Sequence, residues 1–373
     1  MYFLCSFVIR IFANKNDPDM KKNISLFIAG TGVVGSELLN YLKNNSTFDL
    51  YSNSFIIRVV GIVNRSGMFI DAKGINLNKW KDLLVNNGKV TDMNEYIDRM
   101  TGSGFQKAIF ADCTDGSDLK NHYREILKKI PVVTPNKSAN SGYYKDYVKL
   151  REIVQKYGTG FRYSANTGVG LPGIDLIHSM REGGDRIIEI KGLFSSTMNY
   201  ILENMISTGR SFSDLIIEAR EEGLTEPDPR IDLNGIDSAR KILILAREAG
   251  AAIELDDIRI QNLVPAKLKS LDSAEQFLKA IRSYDYHFEK LKRRSLNMNC
   301  KPVYSASFKK DKGQVKIEMV NSNHPFYSAG SSEKILLIRS EFYNKYPLII
   351  KGSSGGAKAT AALVVSDILK LAG

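Results

Sequence analysis

Residues 24–43 read Ile24-Ser-Leu-Phe-Ile-Ala-Gly30-Thr-Gly32-Val-Val-Gly35-Ser-Glu-Leu-Leu-Asn-Tyr-Leu-Lys43. An apolar run, three glycines at GxGxxG spacing and an amphipathic stretch follow one another, which predicts strand, tight turn and helix. Each glycine serves a different physical need. The first permits the turn, the second lets backbone approach a pyrophosphate, and the third lets helix and strand pack closely. The N–H groups that open a helix have no intrahelical acceptor, so they suit a phosphate. The backbone of Gly30, Gly32, Val33, Val34 and Gly35 is therefore the candidate cradle of a dinucleotide.

Beyond this stretch, further strands are expected at Phe55 to Val63, Ala108 to Asp112 and Pro131 to Thr134, with helices at about 117–129 and 142–156. Alternation of this kind implies a Rossmann-type, doubly wound parallel sheet, here over residues 23–157. Residues 158–340 read differently. A strand from Ile187 to Phe194 is followed by helices at about 197–207, 211–222 and 235–249, then by strands at Val303 to Phe308, Val315 to Val320 and Lys334 to Ser340. That is an α+β pattern around an open, antiparallel sheet. After a strand at Pro347 to Lys351, the glycine loop Gly352-Ser-Ser-Gly-Gly356 and the helix behind it are expected to return to the nucleotide domain, within a segment 341–373. Residues 1–22 are read as a tail, with an apolar but short start that lacks the basic residues of a signal peptide.

The end of the second strand bears on which dinucleotide is held. An acid there would bind a ribose 2′-hydroxyl, but the sequence is Asn64-Arg65-Ser66. A guanidinium matches phosphate geometry, so Arg65, beside Asn64, points to NADP, with NAD still possible.

Composition excludes several classes. At 373 residues, 43% hydrophobic and 25% charged, the chain is long enough for two cores and ordinary for a globular protein. The net charge of +11 is spread among acids, as in Arg220-Glu221-Glu222, so a solvated surface is expected and no nucleic acid partner. No apolar stretch has membrane-spanning length. Cys5, Cys113 and Cys300 form no CxxC pair and suit a reducing cytoplasm. His122, His178, His287 and His324 fit no ligand spacing.

The sharpest segment is Glu226-Pro-Asp-Pro-Arg-Ile-Asp232-Leu-Asn-Gly-Ile-Asp237-Ser-Ala-Arg-Lys241. Pro227 and Pro229 restrict the loop that presents Glu226 and Asp228. Asp237 and Lys241 stand at i and i+4 on one helical face. Such a pair is often only a surface salt bridge. A carbonyl reduction needs a proton donor and a group to position it, and a lysine held by an aspartate suits that role.

Together with Thr134-Pro-Asn-Lys137 and Thr197-Met-Asn-Tyr200-Ile-Leu202, this segment resembles homoserine dehydrogenases, most closely the dehydrogenase half of bifunctional aspartokinase–homoserine dehydrogenases. The resemblance runs from Ile24 to the C-terminus. It implies interconversion of L-aspartate 4-semialdehyde and L-homoserine, with Lys241 as the acid–base residue and Asp237 and Lys137 beside it. It implies Glu226, Asp232, Thr197 and Tyr200 as substrate contacts, with Thr114 and Lys137 near the cofactor. It also implies a homodimer, and a monovalent cation, Na+ or K+, near Ser164, Thr167 and Val169. Departures from the family pattern are Ser196, Ser164, Ile231 and the serines of the 352–356 loop. These leave one alternative, a cofactor-binding paralogue without turnover that serves as scaffold or regulator.

Overall fold

The computed structural model describes residues 21–50, 53–105, 107–167 and 170–373. Among the described residues the thirteen strands are β1 (Lys21–Ala29), β2 (Thr47–Leu50), β3 (Asn53–Asn64), β4 (Gly67–Ile70), β5 (Ala108–Asp112), β6 (Val132–Val133), β7 (Phe161–Arg162), β8 (Ile187–Leu193), β9 (Ile258–Ile260), β10 (Lys301–Lys309), β11 (Lys312–Val320), β12 (Glu333–Ser340) and β13 (Leu348–Ser353). They form two separate sheets.

The first sheet runs β2-β3-β1-β5-β6-β7, with β4 also on β3. Pairs β3-β1, β1-β5, β5-β6 and β6-β7 are parallel, as the alternation of elements predicts. From Ile24 to Ala29, β1 is wholly buried, the state expected of a parallel strand covered on both faces. Strands β2 and β4 add antiparallel pairs to β3 in stretches where the sequence reading expects no strand. The helix expected at 117–129 is only a 3-10 turn, Leu119–His122, and one α turn, Tyr123–Ile126. Bonds from Lys128 N to Glu125 O and Lys129 N to Ile126 O tighten its end before Pro131, a residue that disfavours helix in its predecessor.

The second sheet runs β13-β12-β8-β10-β11-β9, antiparallel except for the β11-β9 pair. The helix Ile236–Glu248 packs on it and is buried from Ala239 to Glu248 except at Arg240. From β13 the chain enters the helix Gly356–Ala372, which crosses back. Its Ala361, Val364, Val365 and Ile368 share a core with Leu38 and Leu39 of the helix Val33–Asn44. Lys21 and Lys22 already belong to β1. The rest of the expected tail, with Cys5, lies outside the described residues.

A buried polar cluster ties the two sheets together. Glu248 Oε1 accepts bonds from the hydroxyls of Tyr147 and Tyr163, each at 2.9 Å, and from the Arg151 guanidinium at 3.2 Å, while His178 meets its other oxygen. Burial opposes the charge, but these donors outweigh it and hold the Glu248 carboxyl below its ordinary value. Tyr147 is buried with this cluster, while Tyr143, one turn earlier, is exposed.

Candidate active site

The three glycines of the first turn are required for three different reasons. Gly30 has φ +86°, and a Cβ there would meet the Cys113–Thr114 peptide at 2.8 Å. A Cβ on Gly35 would lie 2.0 Å from Gly30 O. Around Gly32 nothing lies within 4 Å of such a Cβ, so space is left open above the start of the helix Val33–Asn44. That helix has no side-chain cap and no acid in its first turn, and Val33 is exposed. Unpaired N–H groups facing open space are what an anionic ligand needs.

Asn64 ends β3 and Arg65 follows it, at the rim of this turn. Asn64 donates to Thr31 Oγ1 at 2.7 Å and accepts from Ser66 N and Gly67 N, which fixes the loop that carries the exposed Arg65. Thr114 is held on the other side, where its N–H and hydroxyl both donate to the buried Asp112. Burial pushes the Asp112 carboxyl up, against the bonds it accepts from Thr114 and Tyr123. The Asn136 amide donates to Thr114 Oγ1 and Gly116 O, tying the Thr134–Lys137 loop to this strand end. Cys113 is buried and its thiol is pushed up by that burial, which fits a packing residue and not a nucleophile.

Lys137 then reaches toward the second half of the chain. Its Nζ lies 3.3 Å from Asp237 Oδ1, and Lys241 Nζ lies 2.6 Å from Asp237 Oδ2. One carboxylate thus bridges two lysines drawn from the two halves of the chain. Asp237 sits in the first turn of the helix Ile236–Glu248, where a negative charge is favoured. Gly235 opens that helix with φ +78°, and a Cβ there would meet the Tyr304 hydroxyl at 2.2 Å. The protein packed around the half-exposed Asp237 side chain would by itself raise the carboxyl, but the Lys241 and Lys137 ammoniums hold it well below the usual carboxylate range. Lys241 is buried and also donates to Phe194 O at 3.1 Å.

The acidic loop divides its carboxylates between anchoring and presentation. Asp232 accepts from Glu226 N at 2.9 Å and faces the Thr197 hydroxyl at 3.0 Å, a hydroxyl that also lies 2.7 Å from Leu224 O. Asp232 and Thr197 therefore hold the loop in place. Asp228 is paired with Arg230, whose guanidinium reaches Leu271 O at 2.6 Å. The Glu226 side chain is left outside these pairings. Tyr200 lies beside Glu218 of the helix Phe212–Glu221, and partial burial with that neighbour pushes its phenol up.

Ser164 bonds through N and Oγ to Asp367 of the C-terminal helix at 2.8 and 2.7 Å. Its hydroxyl thus fastens that helix. Thr167 is buried beside it, and Val169 lies outside the described residues.

Sequence reasoning missed one residue here. Lys334, in β12, is 3% exposed and donates to Phe194 O, the acceptor of Lys241. Strand alternation puts Lys334 on the face of Leu336 and Ile338, both in the main core, and this lysine at a core register was the available signal.

Residues 30–164 match the model of the NAD-binding domain of homoserine dehydrogenase, and residues 172–369 match the homoserine dehydrogenase model. The chain is 38% identical over 356 residues to the chloroplastic bifunctional aspartokinase/homoserine dehydrogenase 2 of Zea mays, covering 94% of this chain and 39% of that protein. It is 33% identical over 361 residues to the homoserine dehydrogenase of Schizosaccharomyces pombe, covering 94% and 96%. The chain thus spans about two fifths of the bifunctional relatives and nearly all of the fission yeast one. Among solved structures, a Candida auris protein of unknown function superposes with TM-score 0.85 at 29% identity, covering 94% and 98%. A hyperthermophilic archaeal homoserine dehydrogenase in complex with NADPH gives 0.71 at 23%, covering 94% and 97%, a likeness of fold.

Proposed function

This chain belongs to the homoserine dehydrogenase family, and we propose that it interconverts L-aspartate 4-semialdehyde and L-homoserine with a nicotinamide dinucleotide. The observation that carries the reading is the Asp237 carboxylate clamped between Lys241 and Lys137 at the junction of the two sheets. When bound, the dinucleotide supplies or accepts the hydride. The Gly30–Gly35 turn would hold its pyrophosphate, Asn64 and Arg65 its adenosine end, and Thr114 and Lys137 the end nearer the substrate. Lys241 gives its proton to the aldehyde oxygen as the alcohol forms, and takes it back in the reverse direction. Asp237 keeps that ammonium aimed by its 2.6 Å contact. The Glu226 carboxylate suits the substrate ammonium, and the Pro227–Pro229 frame with Asp232 restricts its loop.

The test is NADP+ reduction by L-homoserine at alkaline pH, read as nicotinamide absorbance. Turnover supports the reading, while NADPH binding with no turnover sinks it. Arg65 is exposed at the rim of the turn, so we propose that it meets a 2′-phosphate. Arg65→Ala is expected to weaken NADPH binding about tenfold, the scale of one charge-assisted hydrogen bond, and to leave NADH binding unchanged. Equal losses for the two cofactors would refute that role. We further propose a homodimer through the second sheet, where Phe342, Tyr346 and Ile349 are exposed around β13. Light scattering on the eluting protein at micromolar concentration is expected to give twice the chain mass. A monomer mass would reject the dimer.

A further inference from the structure

Lys334 belongs to no part of the chemistry described above, yet it lies inside the site. Its strand pairs with β8 on one side and β13 on the other, and Lys334 itself stands opposite Gly352, near the end of β13 and just before the loop that leads into the C-terminal helix. Asn199 donates to Glu333 O at 3.0 Å and fixes the strand end beside it. The Lys334 ammonium reaches Phe194 O, where Lys241 Nζ is already a donor at 3.1 Å. Two buried lysines therefore share one carbonyl oxygen, and of the two it is Lys241 that also contacts a carboxylate.

We propose that Lys334 is a positioning residue that acts through Lys241, by competing for the Phe194 carbonyl and by placing or withdrawing a positive charge beside the Lys241 ammonium. The inference rests on the dehydrogenase reading for its effect on rate, but the contact itself does not depend on it. The charged groups that face Lys334 are Lys241 and Asp237 from the helix Ile236–Glu248 and Lys137 from the loop after β6. A protonated Lys334 makes three cations around the single Asp237 carboxylate. Burial first, and the neighbouring lysines after it, push the Lys334 amine down to about 7, with Asp237 acting in the opposite sense. Its charge thus appears as pH falls through the neutral range. In homoserine oxidation Lys241 must accept a proton, and a charged Lys334 opposes that step. Above the neutral range Lys334 is a neutral donor that only steadies the carbonyl.

The experiment has two arms. In the first, kcat for homoserine oxidation is followed from about pH 6 to 10, with the parent expected to lose several-fold below a break near neutrality. Lys334→Met is expected to lack that break, and the permanently charged Lys334→Arg to stay on the slow limb throughout. NADPH titration confirms that each variant is folded. A uniform loss in both variants, with the parental break retained, overturns the proposal as a packing role would. The second arm needs no turnover. In protein labelled with 13C at the lysine Cε, the resonance missing from Lys334→Met, or from Lys334→Arg if the methionine variant does not fold, is expected to titrate near neutrality and to move up in Lys241→Met. Titration near the ordinary lysine value of about 10.4, unmoved by Lys241→Met, overturns it. A parent without turnover removes the dehydrogenase reading, and this second arm still decides the coupling.

Discussion

Lys241→Ala is expected to lower kcat for homoserine oxidation by about a thousandfold, within the range that a positioned acid–base group contributes. Lys241 Nζ sits 2.6 Å from Asp237 and 3.1 Å from Phe194 O, so its aim is fixed before substrate arrives. Its removal leaves Asp237 with the Lys137 contact, so the carboxylate keeps one cation and the fold is expected to survive. NADPH titration should then give nearly the parental affinity. Lys241→Met, which keeps the length of the buried stem, should lose as much activity as alanine, because proton transfer and not packing is removed. A loss below about tenfold in both variants would move the acid–base role elsewhere, to Lys137 first.

Gly35→Ala is the second large effect, and it falls on the fold before it falls on activity. The added methyl would lie 2.0 Å from Gly30 O and 3.3 Å from the Cys113 side chain. Gly30 cannot retreat, since its N–H is bonded to Val63 O at 2.8 Å and its φ is +86°. The helix Val33–Asn44 must lift from β1, at a cost of about 3 kcal/mol, the upper range for overpacking. A large drop in the thermal midpoint with loss of NADPH binding is the expected result. Gly32→Ala separates the two consequences, because nothing lies within 4 Å of its added Cβ. It should keep the parental midpoint and still lose NADPH affinity by at least about tenfold, as the methyl occupies the approach to the helix start. A parental affinity in Gly32→Ala would contradict pyrophosphate binding at this turn.

The elements were legible wherever a local pattern set them. The buried run of β1, the glycines behind it, and the EPDP loop leading into Gly235 and Asp237 all carry their reasons within a few residues. Elements set by partners were not. Strands β2 and β4 exist because β3 offers them hydrogen-bonding edges, and the helix expected at 117–129 shrinks to short turns ahead of Pro131. Asp228 reads as a presented carboxylate from its prolines, but Arg230, two residues on, folds back and pairs with it.

Residue order was enough for the dinucleotide turn, for the i,i+4 pairing of Asp237 with Lys241, and for the family to which the chain belongs. Beyond the place that the family resemblance implied for Lys137, it was not enough for the further charges that meet them. Lys137 and Lys334 are distant from Lys241 along the chain, and their arrival around Asp237 and the Phe194 carbonyl depends on how the two sheets meet. Periodicity specifies the face on which a side chain stands. The electrostatics of a site depend on distances of a few ångströms between elements, and these are fixed only when the elements pack.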